Sequence, residues 1–181
     1  MGRYKIIDEN GIYFTTHTIV EWLPVFVEIK YFQIIIDSLK YCQNNKGLHV
    51  FGYVIMLNHF HLISQTDIGI RFQDVMRDMK KYTSKAISHE LEKDNRKLFL
   101  YVFKKAAEKE KGKRKYKIWQ DDYQPKILYT DKVSRQKLGY MHCNPERKGF
   151  VTKPEGWLYS SARNYLLDDN SIIEIEKLEM L

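Results

Sequence analysis

The chain alternates runs built for strands with runs built for helices, and that order leaves few ways to fold. Ile12 to Val20 (IYFTTHTIV) is rich in β-branched and aromatic residues and predicts a strand. After Pro24, Val27 to Cys42 carries Phe32, Ile35, Ile36 and Leu39 at helical spacing, and Asn44, Asn45 and Gly47 end that helix. Leu48 to Met56 and His59 to Gln65 predict two more strands, with Leu57-Asn58 as a turn or bulge between them. A second amphipathic helix, about Ile70 to Leu91, places Phe72, Val75, Met79 and Tyr82 on its apolar face. Leu98 to Ala107 predicts a further helix, running into the charge cluster Glu108 to Lys117. Ile118 to Tyr129 reads as an irregular strand pair or a bulged strand, interrupted by Pro125. Asp131 to Asn144 predicts the last helix, with Thr130 or Asp131 as N-cap and Pro145 as its stop.

Strand, helix, strand, strand, helix, strand is the order of the ferredoxin-like β-α-β-β-α-β unit, an α+β sheet with its helices on one face. One more helix then follows it. At 181 residues with 44% hydrophobics, the chain suits one domain with a sizeable core. That domain is expected over residues 1–165, with 166–181 as a tail. The tail is acidic (Asp168, Asp169, Glu174, Glu176, Glu179) and reads as a short helix covering the domain or as a contact for a partner. No run approaches the 18 or more apolar residues of a membrane span, and the first residues lead into no apolar signal core. Gly2 lacks the Ser or Thr at position 6 of a myristoylation signal, since Ile6 stands there. A cytoplasmic protein without a membrane partner is expected, with Cys42 and Cys143 as free thiols. A net charge of +7 with 14% aromatics is the composition of a chain that holds a polyanion and stacks bases.

Chemistry concentrates at two places. His59 and His61 are two apart in a strand, so both imidazoles share one face while Phe60 and Leu62 take the other. Two adjacent neutral imidazoles suit a divalent first-row metal; the bland alternative is a pair of ordinary strand-edge histidines. Tyr140 and Asn144, four apart on the last helix, share a helical face. If that helix docks against the histidine strand, Asn144 offers a carbonyl oxygen as third ligand and Tyr140 hangs beside the metal. Three ligands leave coordination positions open, as a catalytic metal requires.

The segment Gly52-Tyr-Val-Ile-Met-Leu-Asn-His-Phe-His-Leu-Ile63 resembles the HUH signature of one-tyrosine transposases of the IS200-like kind. Tyr140-Met-His-Cys-Asn-Pro-Glu-Arg-Lys-Gly-Phe-Val151 resembles the nucleophile motif of the REP-associated tyrosine transposases. Tyr13-Phe-Thr-Thr16, Met79-Lys-Lys-Tyr-Thr-Ser-Lys85, Trp119-Gln120 and Trp157-Leu-Tyr-Ser-Ser-Ala162 fit the same family in the same order, so the resemblance spans roughly residues 12–165. Two departures stand out. Leu57 replaces the usual Pro before the Asn-His pair, and the position four after the tyrosine is Asn, where wider relatives have Gln.

The resemblance implies a transposase-like strand transferase with His59 and His61 as metal ligands, Asn144 as third ligand and Tyr140 as nucleophile. It implies Mg²⁺ or Mn²⁺, where ligand chemistry alone also admits Zn²⁺, and a covalent 5′-phosphotyrosine with a free 3′-OH. The implied partner is single-stranded DNA with a hairpin or palindromic repeat, bound by a monomer or homodimer. Candidate DNA anchors are Lys113, Arg114, Lys115, Tyr116, Lys117 and Trp119, with Lys80, Lys81 and Lys85 as a second patch; a solvated loop is the plain alternative for the first run. Competing functions are a non-catalytic binder of hairpin single strands, another HUH nicking enzyme, and a metal hydrolase that uses water.

Overall fold

A computed structural model describes residues 8–110, 114–121, 123 and 125–178. Four strands, β1 (Tyr13–Thr18), β2 (Leu48–Ile55), β3 (His59–Thr66) and β4 (Lys126–Ile127), form one antiparallel sheet in the order β2-β3-β1-β4. That order makes the sheet ferredoxin-like, with β1 and β3 central. Helices α1 (Ile29–Lys46) and α2 (Phe72–Lys93) cover one face. Phe32, Ile35, Ile36 and Leu39 of α1 and Phe72, Val75, Met76 and Met79 of α2 close on Tyr53, Ile55, Phe60 and Leu62 of the sheet. Gly47 ends α1 in the left-handed conformation (φ 58, ψ 36), a position a residue with a Cβ would strain to hold.

The other face is covered by α4 (Asp131–His142), whose Leu138 and Met141 pack with Phe14, Phe51, Val54, Met56 and Ile63. Thr130 caps α4, its Oγ1 accepting from the Val133 amide at 3.3 Å. The approach is close because Gly52 has no side chain: a Cβ there would lie 2.7 Å from Met141 Cε and 2.9 Å from Leu138 Cδ1.

Three expectations change. Among the described residues from Ile118 to Tyr129 only Lys126–Ile127 forms a strand, joined by an isolated bridge from Trp119 to Ile19; Pro125 has no N–H to extend the ladder. Pro145 does not stop the helical path. After a break at Cys143 it sits in the first turn of the short α5 (Asn144–Arg147), where a missing N–H is harmless. Tyr82 lies off the buried face of α2, which runs Phe72, Val75, Met76, Met79, Thr83 and Ile87, and is exposed.

Helix α3 (Lys97–Glu108) lengthens the crossover from α2 to β4, and α6 (Ala162–Leu167) follows α5. Beyond α6 the described residues of the acidic tail form no helix, and Glu179 lies outside them. The tail runs along the β2 edge, with Ile173 fully buried and the Glu176 amide donating to the Val50 carbonyl at 3.0 Å. Among the described residues no helix is long and apolar enough to cross a membrane.

Candidate active site

Strand alternation sends Phe60 and Leu62 into the α1/α2 core and leaves His59 and His61 under α4. The two histidine rings have centroids 4.9 Å apart. His61 stacks on Phe14 at 5.1 Å and meets the Tyr140 ring at 5.6 Å, 65° from parallel. Tyr140 is 44% exposed, so its phenol ring borders the histidines while remaining open to solvent.

Each histidine is fixed through Nδ1. Asn58 Oδ1 lies 2.7 Å from His59 Nδ1, while the same amide's Nδ2 donates to the Trp22 carbonyl at 3.1 Å. That second bond orients the amide, and its oxygen can only accept, so His59 carries its proton on Nδ1 and its lone pair on Nε2. Thr16 stands opposite His61 across the β1–β3 ladder, and its Oγ1 lies 2.8 Å from His61 Nδ1. His61 Nε2 is then a buried nitrogen with no partner among the described residues. A buried polar atom without a hydrogen bond is unfavourable unless something outside the chain satisfies it. A divalent cation would do so, and imidazoles held by a hydrogen bond at the other nitrogen are the usual form of a histidine metal ligand. The donor set therefore fits a metal.

Burial keeps both rings neutral. Desolvation lowers the His59 pKa to about 4, helped by nearby Lys148, and the His61 pKa to about 3, helped by His59 and Lys137. Asn144, in the first turn of α5, is 7% exposed, and its side-chain amide makes no hydrogen bond among the described residues. Two cations flank the tyrosine: the Arg147 guanidinium lies 4.6 Å from its ring centroid and Lys137 Nζ lies 5.8 Å away. Arg147 also donates to the Tyr140 carbonyl at 2.6 Å.

The DNA-anchor candidates divide. Lys80, Lys81, Lys85, Arg114, Lys115, Tyr116 and Trp119 line one open cleft of about 1260 Å³ along α2, together with Arg71, Arg77, Tyr82 and Tyr123. The cleft thus joins two patches that are separate in sequence. Within it, Arg114 pairs with Glu110 and Lys115 with Glu92. Lys117 and Trp119 need correcting as surface contacts. The Lys117 ammonium is largely covered and paired with Glu110 and Asp121. Trp119 is 4% exposed, its indole N–H donating to Thr83 Oγ1 at 3.0 Å and its ring packed against Phe26, so it offers no face to a base. Lys113 lies outside the described residues.

Sequence reasoning assigned no role at the site to Thr16, Trp22, Lys137 or Arg147. Lys137 precedes Tyr140 by three residues on α4, so helical spacing marks it as a neighbour; the others depend on register and chain reversal. His142 faces away, buried against Ser161 Oγ at 2.9 Å.

No protein-family model matches the sequence, and no curated protein does. Among solved structures, a REP-associated tyrosine transposase bound to a REP hairpin is similar to this chain with a TM-score of 0.64 at 16% identity. The match covers 99% of this chain and 96% of that one. The fold of this chain is therefore that of a REP-associated tyrosine transposase over essentially its whole length.

Proposed function

We propose that the chain is a divalent-metal-dependent DNA-strand transferase that cuts and rejoins hairpin-bearing single-stranded DNA through a covalent bond to Tyr140. The observation that carries this reading is the buried, unpartnered Nε2 of His61 beside His59, with a solvent-open phenol ring 5.6 Å from the His61 ring. The similar solved structure is itself bound to a REP hairpin, which supports structured DNA as the substrate.

His59, His61 and the Asn144 carbonyl oxygen are the groups that would hold Mg²⁺ or Mn²⁺. Among the described residues no group of three His, Cys, Asp or Glu side chains is placed to hold a metal, so the two imidazoles and the Asn144 oxygen would be the protein's share of the ligands. When bound, the metal supplies Lewis acidity at a phosphate oxygen and orients the scissile group. Tyr140 Oη attacks phosphorus, the O–P bond forms, the bond from phosphorus to the 3′ oxygen breaks, and the phenol proton passes to solvent. The departing 3′ oxygen takes a proton and becomes a 3′-OH. Attack by another 3′-OH on the phosphotyrosine reverses these bonds, releases Tyr140 and needs no nucleotide cofactor. Arg147 and Lys137 keep positive charge beside the phenol as it approaches an anionic phosphate. The basic cleft along α2 holds the strand backbone through Lys80, Lys81, Lys85, Arg114 and Lys115, with Tyr116 and Tyr82 as stacking surfaces.

The test is a covalent adduct. Wild type with a hairpin-bearing single strand and Mn²⁺ should form a protein-DNA species that survives denaturation. Tyr140→Phe should bind the same strand without forming it, and His59→Ala, His61→Ala or EDTA should abolish cleavage. A hydrolase would cut without an adduct and tolerate Tyr140→Phe; a fully active Tyr140→Phe variant sinks the proposal.

A further inference from the structure

Trp22 stands beside His59, the residue 58% exposed and its ring centroid 6.1 Å from that of His59, edge to face at 72°. The backbone that brings it there is unusual. Glu21 (φ 53, ψ 22) and Trp22 (φ 55) are consecutive residues in the left-handed region, which disfavours any side chain beyond glycine. An exposed indole recovers little burial against that strain.

The surroundings hold the conformation in place. Val20 is buried before it, and Val25 and Phe26 are buried after it. The Trp22 amide donates to the Ile19 carbonyl at 3.0 Å and the Val20 amide to the Ile118 carbonyl at 2.9 Å. The Asn58 side chain donates to the Trp22 carbonyl while its oxygen accepts from His59 Nδ1–H. One amide therefore sets the indole-bearing segment and the histidine relative to each other. On the α4 side, Lys137 and Arg147 flank Tyr140. An aromatic surface thus lies beside His59 and cations lie beside the tyrosine next to His61, an arrangement that suits one nucleotide held by its base and its phosphate.

We propose that Trp22 is a nucleobase platform: an unpaired base of single-stranded DNA stacks on its indole and brings the adjoining phosphate over His59 and His61. This rests on the strand-transferase reading and adds to it the subsite that places the scissile phosphate. Stacking on an aromatic face tolerates any base, so the platform sets position without choosing sequence.

The test uses the full chain and a hairpin-bearing oligodeoxynucleotide with a short unpaired thymidine flank. Binding is followed by titration and by tryptophan emission. Wild-type emission should be quenched on binding, and Trp22→Phe should lose most of that quench while keeping most of the affinity. Trp22→Ala and Trp22→Gly should bind about tenfold more weakly. Trp22→Gly should at the same time raise the melting temperature, because glycine accepts φ 55 without strain. A residue that serves only the fold cannot lose DNA affinity while the fold gains stability. Undiminished affinity in both Trp22→Ala and Trp22→Gly overturns the platform. Wild-type adduct formation, measured in parallel, separates the two ideas. An adduct with unchanged affinity in Trp22→Ala removes the platform alone, whereas weakened affinity with no wild-type adduct supports the platform and removes the transferase.

Discussion

Thr16 and His61 face each other across β1 and β3, and their Oγ1 and Nδ1 atoms meet at 2.8 Å. This hydrogen bond, rather than the strand pattern, leaves His61 Nε2 as the free, buried nitrogen. Thr16→Val keeps the shape and removes the hydroxyl. Metal affinity should fall about 10- to 100-fold, the usual effect of losing a group that orients a ligand, with folding stability changed by only about 1 kcal/mol. Mn²⁺ titration calorimetry decides it; an unchanged affinity would mean that stacking on Phe14 alone orients the ring.

The depressed histidine pKa values predict how metal binding responds to acid. With His59 at about 4 and His61 at about 3, neither ring takes a proton between pH 5.5 and 8 in the folded chain. Mn²⁺ affinity should therefore be nearly flat over that range, where solvated histidines would lose affinity below about 6.5. A midpoint near 6.5 would show that the rings are not buried as described.

The same burial has a stability consequence. His17, His59, His61 and His142 all have lowered pKa values because burial disfavours their charged forms. The unfolded chain binds their protons more readily, so stability is fully present above about 6.5 and is lost as the pH falls toward the folded values. His49 runs in the opposite sense: hydrogen bonds to Asp67 and Glu176 raise its pKa, so its contribution is present below about 6.5 and lost as the pH rises through the raised value. Its ring is partly exposed, so that contribution is screened and the buried His17, His61 and His142, with half-buried His59, set the slope. Urea unfolding of metal-free protein should show stability falling from pH 7 to pH 5; a rise over that interval would refute the assignment.

Gly52 lets α4 reach the sheet. Gly52→Ala places a methyl against the ends of Met141 and Leu138, flexible side chains that can shift. The expected cost is roughly 1–3 kcal/mol, read as a lower melting temperature. Because α4 carries Tyr140, adduct yield should fall more than single-strand affinity does. Equal losses in both would mean that α4 is not displaced over the histidines.

The cleft along α2 predicts which cations carry the salt dependence of DNA binding. Lys81 and Lys85 make no ion pair among the described residues, whereas Arg114 is paired with Glu110. Reversing Lys81 and Lys85 to Glu should reduce the slope of log affinity against log salt by about one to two. Arg114→Glu should reduce it less. If the double reversal leaves the slope unchanged, the strand does not run through this cleft.

Much of this protein was legible in the chain itself. Period-two and helical patterns placed the first three strands and the main helices, because burial of one face selects residues at those spacings. The same alternation put His59 and His61 on one face, a local consequence of backbone geometry, whereas the single helix expected to carry both Tyr140 and Asn144 breaks at Cys143 and leaves Asn144 in α5. Local pattern failed where long-range contact decides. The short β4, the burial of Trp119 against Thr83 and Phe26, and the pairing of Lys117 follow from chain segments far apart in sequence. So do the Thr16–His61 pair, fixed by strand register, and the left-handed turn at Trp22, held by Asn58 from another strand end. A residue's period tells which way it points from its own element; what it meets there depends on which other element packs against it, and only the tertiary structure supplies that.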